Sequence, residues 1–81
     1  MKKIRIDLEA FEDKRAFHRW LRDACDFPEY YGCNLDALYD CLSENPCFAF
    51  EIVHSIDHLK YEEALLETME AAGCPVALVM E

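Results

Sequence analysis

The chain predicts an α/β domain with a small, three-stranded parallel sheet, in the order β-α-α-β-α-β. Three observations carry this. Short apolar runs alternate with amphipathic stretches along the whole chain, and the joins between them are short, which favours right-handed crossovers and parallel pairing. The 81 residues make one domain, residues 1–81. Apolar residues are 53%, too many for a disordered chain, yet no run approaches the roughly 20 residues a bilayer span needs.

Ile4, Ile6 and Leu8 alternate with Arg5 and Asp7, so Lys3 to Leu8 is predicted as a strand with one wet face. Asp13 is placed to cap a helix from about Lys14 to Ala24, with Phe17, Trp20, Leu21 and Ala24 inward and the basic residues outward. Asp26-Phe27-Pro28 ends it and opens a loop. Asn34 is the next expected N-cap, starting a short helix whose Leu35, Leu38 and Leu42 form one buried stripe. Asp36, Tyr39 and Asp40 fall on another face of that helix, with Ser43 below. Gly32 supplies a tight or positive-φ turn just before it.

Glu44-Asn45-Pro46 reads as a turn, and Cys47 to Val53 as the most continuously apolar strand, suited to the middle of a parallel sheet. Ile56-Asp57 then reads as a hydrophobic staple and N-cap for a helix from about His58 to Ala72, with Tyr61, Leu65, Met69 and Ala72 inward. Gly73 is its stop, and Pro75 to Met80 the last strand.

The run Pro28-Glu29-Tyr30-Tyr31-Gly32-Cys33-Asn34-Leu35-Asp36-Ala37-Leu38-Tyr39-Asp40-Cys41-Leu42 resembles, without a gap, the signature of the barstar family of small intracellular ribonuclease inhibitors. Ala72-Gly73-Cys74 before the last strand is a second, shorter match. The resemblance implies a barstar-like fold. It also implies a partner, a basic ribonuclease bound in a 1:1 protein complex. Asp40 would stand in for an RNA phosphate in the nuclease site, Asp36 would pair with a second basic group, and Tyr30 and Tyr39 would give flat aromatic contact. Asn34 and Gly32 would hold these in position. Members of the family usually carry one more short helix after the second strand; only His54 to Asp57 is available for it here, so it is expected to be absent or a single turn. The family's interface glutamate on the last helix falls on Thr68, so the partner differs in detail.

Composition alone offers a plainer account of the same residues. Acidic side chains near a helix start satisfy the helix dipole, and the two tyrosines could be core. The family match reverses that weighting for Tyr30, Asp36 and Asp40.

Charge agrees with a basic partner. Eight Lys and Arg face 17 Asp and Glu, a formal −9, and after Asp23 the one basic residue is Lys60. Such a field repels nucleic acid and anionic membranes, and steers a cationic protein inward. An enzyme is not expected: Asp36 and Asp40 sit one turn apart on a convex helix, not across a cleft. The five cysteines show no C-x-x-C spacing, and neither they nor the three histidines suggest a metal site or cofactor. With no signal-peptide core at the N-terminus, the expectation is a cytoplasmic protein, monomeric when free, in the manner of an immunity protein. The alternative is a barstar-like interaction module that binds another basic partner without nuclease inhibition.

Overall fold

The computed structural model describes residues 2–45, 47–54 and 60–80. Three strands, β1 (Lys2–Ile6), β2 (Phe48–His54) and β3 (Val76–Met80), form one parallel sheet in the order β1-β2-β3. Helices α1 (Lys14–Cys25) and α2 (Leu35–Glu44) connect β1 to β2, and α3 (Glu62–Ala71) precedes β3. The element order is the one the sequence predicts.

Register explains the core. Ile4 faces Phe50 and Ile6 faces Ile52 across β1 and β2, and all four are buried. Phe17 and Leu21 of α1, Leu38 and Leu42 of α2, and Leu65 and Met69 of α3 complete one cluster with them. Each helix therefore buries the centre of the stripe its spacing predicts, with Trp20, Ala24 and Ala72 only partly covered and Tyr61 and Ala72 just outside α3, and that burial drives the packing. Leu35, at the start of the α2 stripe, is only partly buried. β2 is central, which accounts for its apolar run, broken only by Glu51 before His54. β3 is an edge strand, so a sequence just as apolar leaves Leu78 49% exposed.

Two helix starts match the expected caps. Asp13 accepts from the Ala16 amide at 2.8 Å, and Asn34 from the Ala37 amide at 2.8 Å. Gly73 ends α3 at φ 86°, a left-handed position that suits a residue without Cβ.

Other boundaries move. β1 stops at Ile6 rather than Leu8, because the Asp7 carboxylate accepts from the Glu9 amide and winds Leu8–Ala10 into a 3₁₀ turn. α1 continues one residue past Ala24, to Cys25. β2 opens at Phe48, not Cys47, and β3 at Val76, not Pro75, whose carbonyl accepts from Phe50 at 2.9 Å. α3 begins at Glu62, not His58: Lys60 is left-handed at φ 53°, and Tyr61 takes the N-cap position with no side-chain cap bond. The cap and staple expected at Ile56 and Asp57, Pro46 of the predicted turn, and the turn expected up to Asp57 lie outside the described residues.

Candidate protein-binding site

The loop from α1 to α2 places two neighbouring tyrosines oppositely. Asp26 ends α1 at φ 55°, its amide meeting the Arg22 and Asp23 carbonyls, and Phe27 N–H donates to Arg22 at 2.9 Å. A turn then closes with Tyr31 N–H on the Pro28 carbonyl at 3.0 Å. Tyr30 is 86% exposed, while Tyr31 is 6% exposed and belongs to the core. Tyr31 packs on Phe27 at 5.0 Å between ring centroids and meets His18 Nδ1 through its hydroxyl at 2.6 Å.

Gly32 serves space rather than a left-handed turn. The positive φ falls on the next residue, Cys33, at 54°. A Cβ on Gly32 would lie 3.2 Å from Asn34 Nδ2 and 3.4 Å from Ala37 Cβ, so a side chain there would crowd the cap. Asn34 Nδ2 donates to the Gly32 carbonyl at 3.2 Å while its Oδ1 holds the Ala37 amide. The two residues thus set the loop and the first turn of α2 together.

α2 then turns Leu38 and Leu42 inward and leaves Asp36, Tyr39 and Asp40 exposed, Tyr39 at 44%. Among the described residues, no hydrogen bond or ion pair engages the side chains of Tyr30, Asp36, Tyr39 or Asp40. Tyr30 and Asp40 open on one groove of about 310 Å³, walled by Phe27, Pro28, Cys41 and Glu44 and lined by no Lys, Arg or His. Asp36 and Tyr39 lie outside that groove on the same short helix. A wider depression of about 520 Å³ adjoins it at the end of α1, but there Arg22 already pairs with Asp23 at 3.4 Å and no α2 carboxylate takes part.

Burial, then the Glu44 and Asp40 carboxylates, push the Cys41 thiol up, and burial pushes Cys25 up to about 12. Both thiols therefore stay protonated near neutral pH and are poor nucleophiles. Among the described residues, no three His, Cys, Asp or Glu side chains gather as a metal site, and no helix is long and apolar enough to cross a membrane.

A family model described as Barstar (barnase inhibitor) matches residues 1–73. The chain belongs to the barstar family. It is also 56% identical over 43 residues to a candidate ribonuclease inhibitor, YrdF, of Bacillus subtilis (strain 168). That stretch is 53% of this chain and 47% of YrdF, so the chain spans about half the length of this curated relative. In this barstar-family chain Thr68, half-buried on α3, turns its hydroxyl back to donate to the Ala64 carbonyl at 2.8 Å. Glu67 and Glu70 beside it are exposed.

The sequence reading missed Glu44, Phe27 and His18. Glu44 is four residues past Asp40, and continuing the same helical spacing would have reached it. His18 stands three before Leu21 and seven before Cys25, an inward position by period, but nothing local names its partners.

Proposed function

We propose that this protein inhibits a ribonuclease, barnase-like or a related toxin nuclease, by inserting the acidic face of α2 into the nuclease's basic site. Lys, Arg and His there hold RNA phosphates. Asp40 replaces a phosphate and takes charge-assisted bonds, bidentate where it meets an Arg. Asp36, one turn earlier, pairs with a second cation. Tyr30 and Tyr39 lie flat against the rim, and their rigid rings lose little entropy on binding. Asn34 and Gly32 hold the helix start and the loop in register. The complex is 1:1 and the free protein a monomer acting in the cytoplasm. The net −9 speeds encounter with a cationic nuclease and disfavours nucleic acid itself.

The observation that carries this reading is that Tyr30 and Asp40, in a barstar-family chain, share one groove with no basic lining. One feature favours a second reading. The α3 position where the family offers a glutamate is Thr68, whose hydroxyl is spent inside the helix. That loss of charge suits a module that binds another basic protein without blocking a nuclease.

Titration against a panel of basic bacterial ribonucleases, barnase included, separates the two. Inhibition by the wild-type protein that falls in Asp40→Ala, with faster association at low salt, supports the inhibitor. Binding to a basic protein with no loss of nuclease activity supports the module.

A further inference from the structure

His18 is wholly buried on α1, and both its ring nitrogens are occupied, Nδ1 by the Tyr31 hydroxyl at 2.6 Å and Nε2 by the Tyr61 hydroxyl at 2.9 Å. A neutral imidazole donates through one nitrogen and accepts through the other, so the two hydroxyls take opposite roles. Three separate segments meet here: α1, the loop carrying Tyr30, and the residue that starts α3. The Tyr61 ring packs edge-to-face on both His18 and Phe17, whose own rings are tilted against each other, and Lys14 Nζ lies 4.9 Å from the Tyr61 centroid. Among the described residues, the Tyr31–His18 bond is the one hydrogen bond joining a side chain of loop residues 28–33 to another helix than α2. The remaining loop bonds are local, Tyr31 N–H to Pro28 and Asn34 Nδ2 to Gly32.

We propose that His18 is a positioning residue for the binding face: by holding Tyr31 inward, it orients the adjacent Tyr30 outward beside Asp40 and ties that loop to the start of α3. Besides this bond, the loop is held by local backbone and Asn34 bonds and by the packing of Phe27, Tyr31 and Cys33 on the core, none of which reaches the start of α3. The part of this that concerns Tyr30's contact with a nuclease rests on the inhibitor reading; the part that concerns the loop does not.

The test uses the full chain as wild type, His18→Phe, His18→Gln and Tyr31→Phe. Amide hydrogen exchange of Tyr30 to Asn34 is measured in the free proteins, and association and dissociation rates are measured with barnase. Glutamine offers an acceptor and a donor at about the imidazole spacing, so it should rescue. His18→Phe and Tyr31→Phe should speed loop exchange about 10-fold or more, with Leu38 to Leu42 still protected. Dissociation should rise by about 10-fold while association changes less than about 2-fold, because charge sets the latter. If His18→Phe does not fold, Tyr31→Phe and His18→Gln decide. Loop exchange unchanged in Tyr31→Phe or in a folded His18→Phe, or raised equally in loop and core, would overturn the proposal, since the bond would then be ordinary core stability. Should wild type not bind barnase, the inhibitor reading fails for that nuclease, and the exchange arm still decides whether His18 positions the loop.

Discussion

α2 and α3 are both ten-residue helices with acidic outer faces, yet they differ in what accompanies the charge. α3 carries Glu62, Glu63, Glu67 and Glu70, more carboxylates than α2. α2 sets its fewer acids beside Tyr30 and Tyr39, two of the three large apolar side chains exposed among the described residues, and beside a groove. Charge alone steers a partner, but a face that binds also needs flat, desolvatable area next to the charge. The helices differ in their starts as well. α2 is capped within four residues by Asn34; α3 has no side-chain cap, and its first anchor is a hydroxyl bonded to a histidine 43 positions away.

The sharpest way to break this comparison is Asp40→Ala. Each charge-assisted bond lost should weaken binding by about 10- to 100-fold, read as the inhibition constant, with no loss of fold because the side chain is exposed. A change under about 3-fold would remove Asp40 from the face.

The contrast in helix starts predicts a pH dependence. Desolvation lowers the His18 pKa to about 4 from an ordinary value near 6.5. The neutral ring is the folded form. Below pH 6.5 the unfolded chain takes a proton that the folded chain refuses, so this stability is present at neutral pH and is lost as pH falls from about 6.5 to about 4, by about 3 kcal/mol. Urea midpoints across that range should fall less steeply in His18→Gln than in wild type. Parallel slopes would mean that His18 does not govern the effect.

Tyr30→Ala should leave the urea midpoint within about 0.5 kcal/mol, as for most surface changes, while weakening nuclease binding by about 2- to 10-fold. Equal binding would restrict the face to its carboxylates. Asn34→Ala should cost about 1 kcal/mol of stability by freeing the Ala37 amide, measured by urea unfolding at pH 7.

What was legible in the sequence follows the range of the forces involved. Asp13, Asn34 and Gly73 act on backbone groups within a few residues, so local rules found them. The buried centres of the three helix stripes, Phe17 and Leu21, Leu38 and Leu42, and Leu65 and Met69, follow from period alone. The apolar-then-Asp pattern at Ile56-Asp57 suggests an earlier start for α3 than Glu62, whereas Lys60 is left-handed and Tyr61 turns inward to a histidine far away in sequence. Asp7 was hidden for a related reason: strand alternation ran on through Leu8, and a side-chain bond to the Glu9 amide competes with it. In the candidate site, Tyr30, Asp36, Tyr39, Asp40, Asn34 and Gly32 came from the family resemblance joined to helical spacing. The division of labour between Tyr30 and Tyr31, the groove, and the reason for Gly32 needed coordinates, since identical neighbouring residues carry no sequence signal for which one faces water.

The most direct test of the central claim removes the same charge from each helix. Asp36→Asn/Asp40→Asn and Glu67→Gln/Glu70→Gln each delete two carboxylates, so both proteins keep the same net charge. Inhibition of barnase, or of whichever basic ribonuclease the wild type inhibits, is titrated at moderate salt. The α2 double variant should lose about 100-fold or more, and the α3 variant should stay within about 3-fold of wild type. Equal losses from the two would contradict the account, because the protein would then act through its overall field and not through the α2 face.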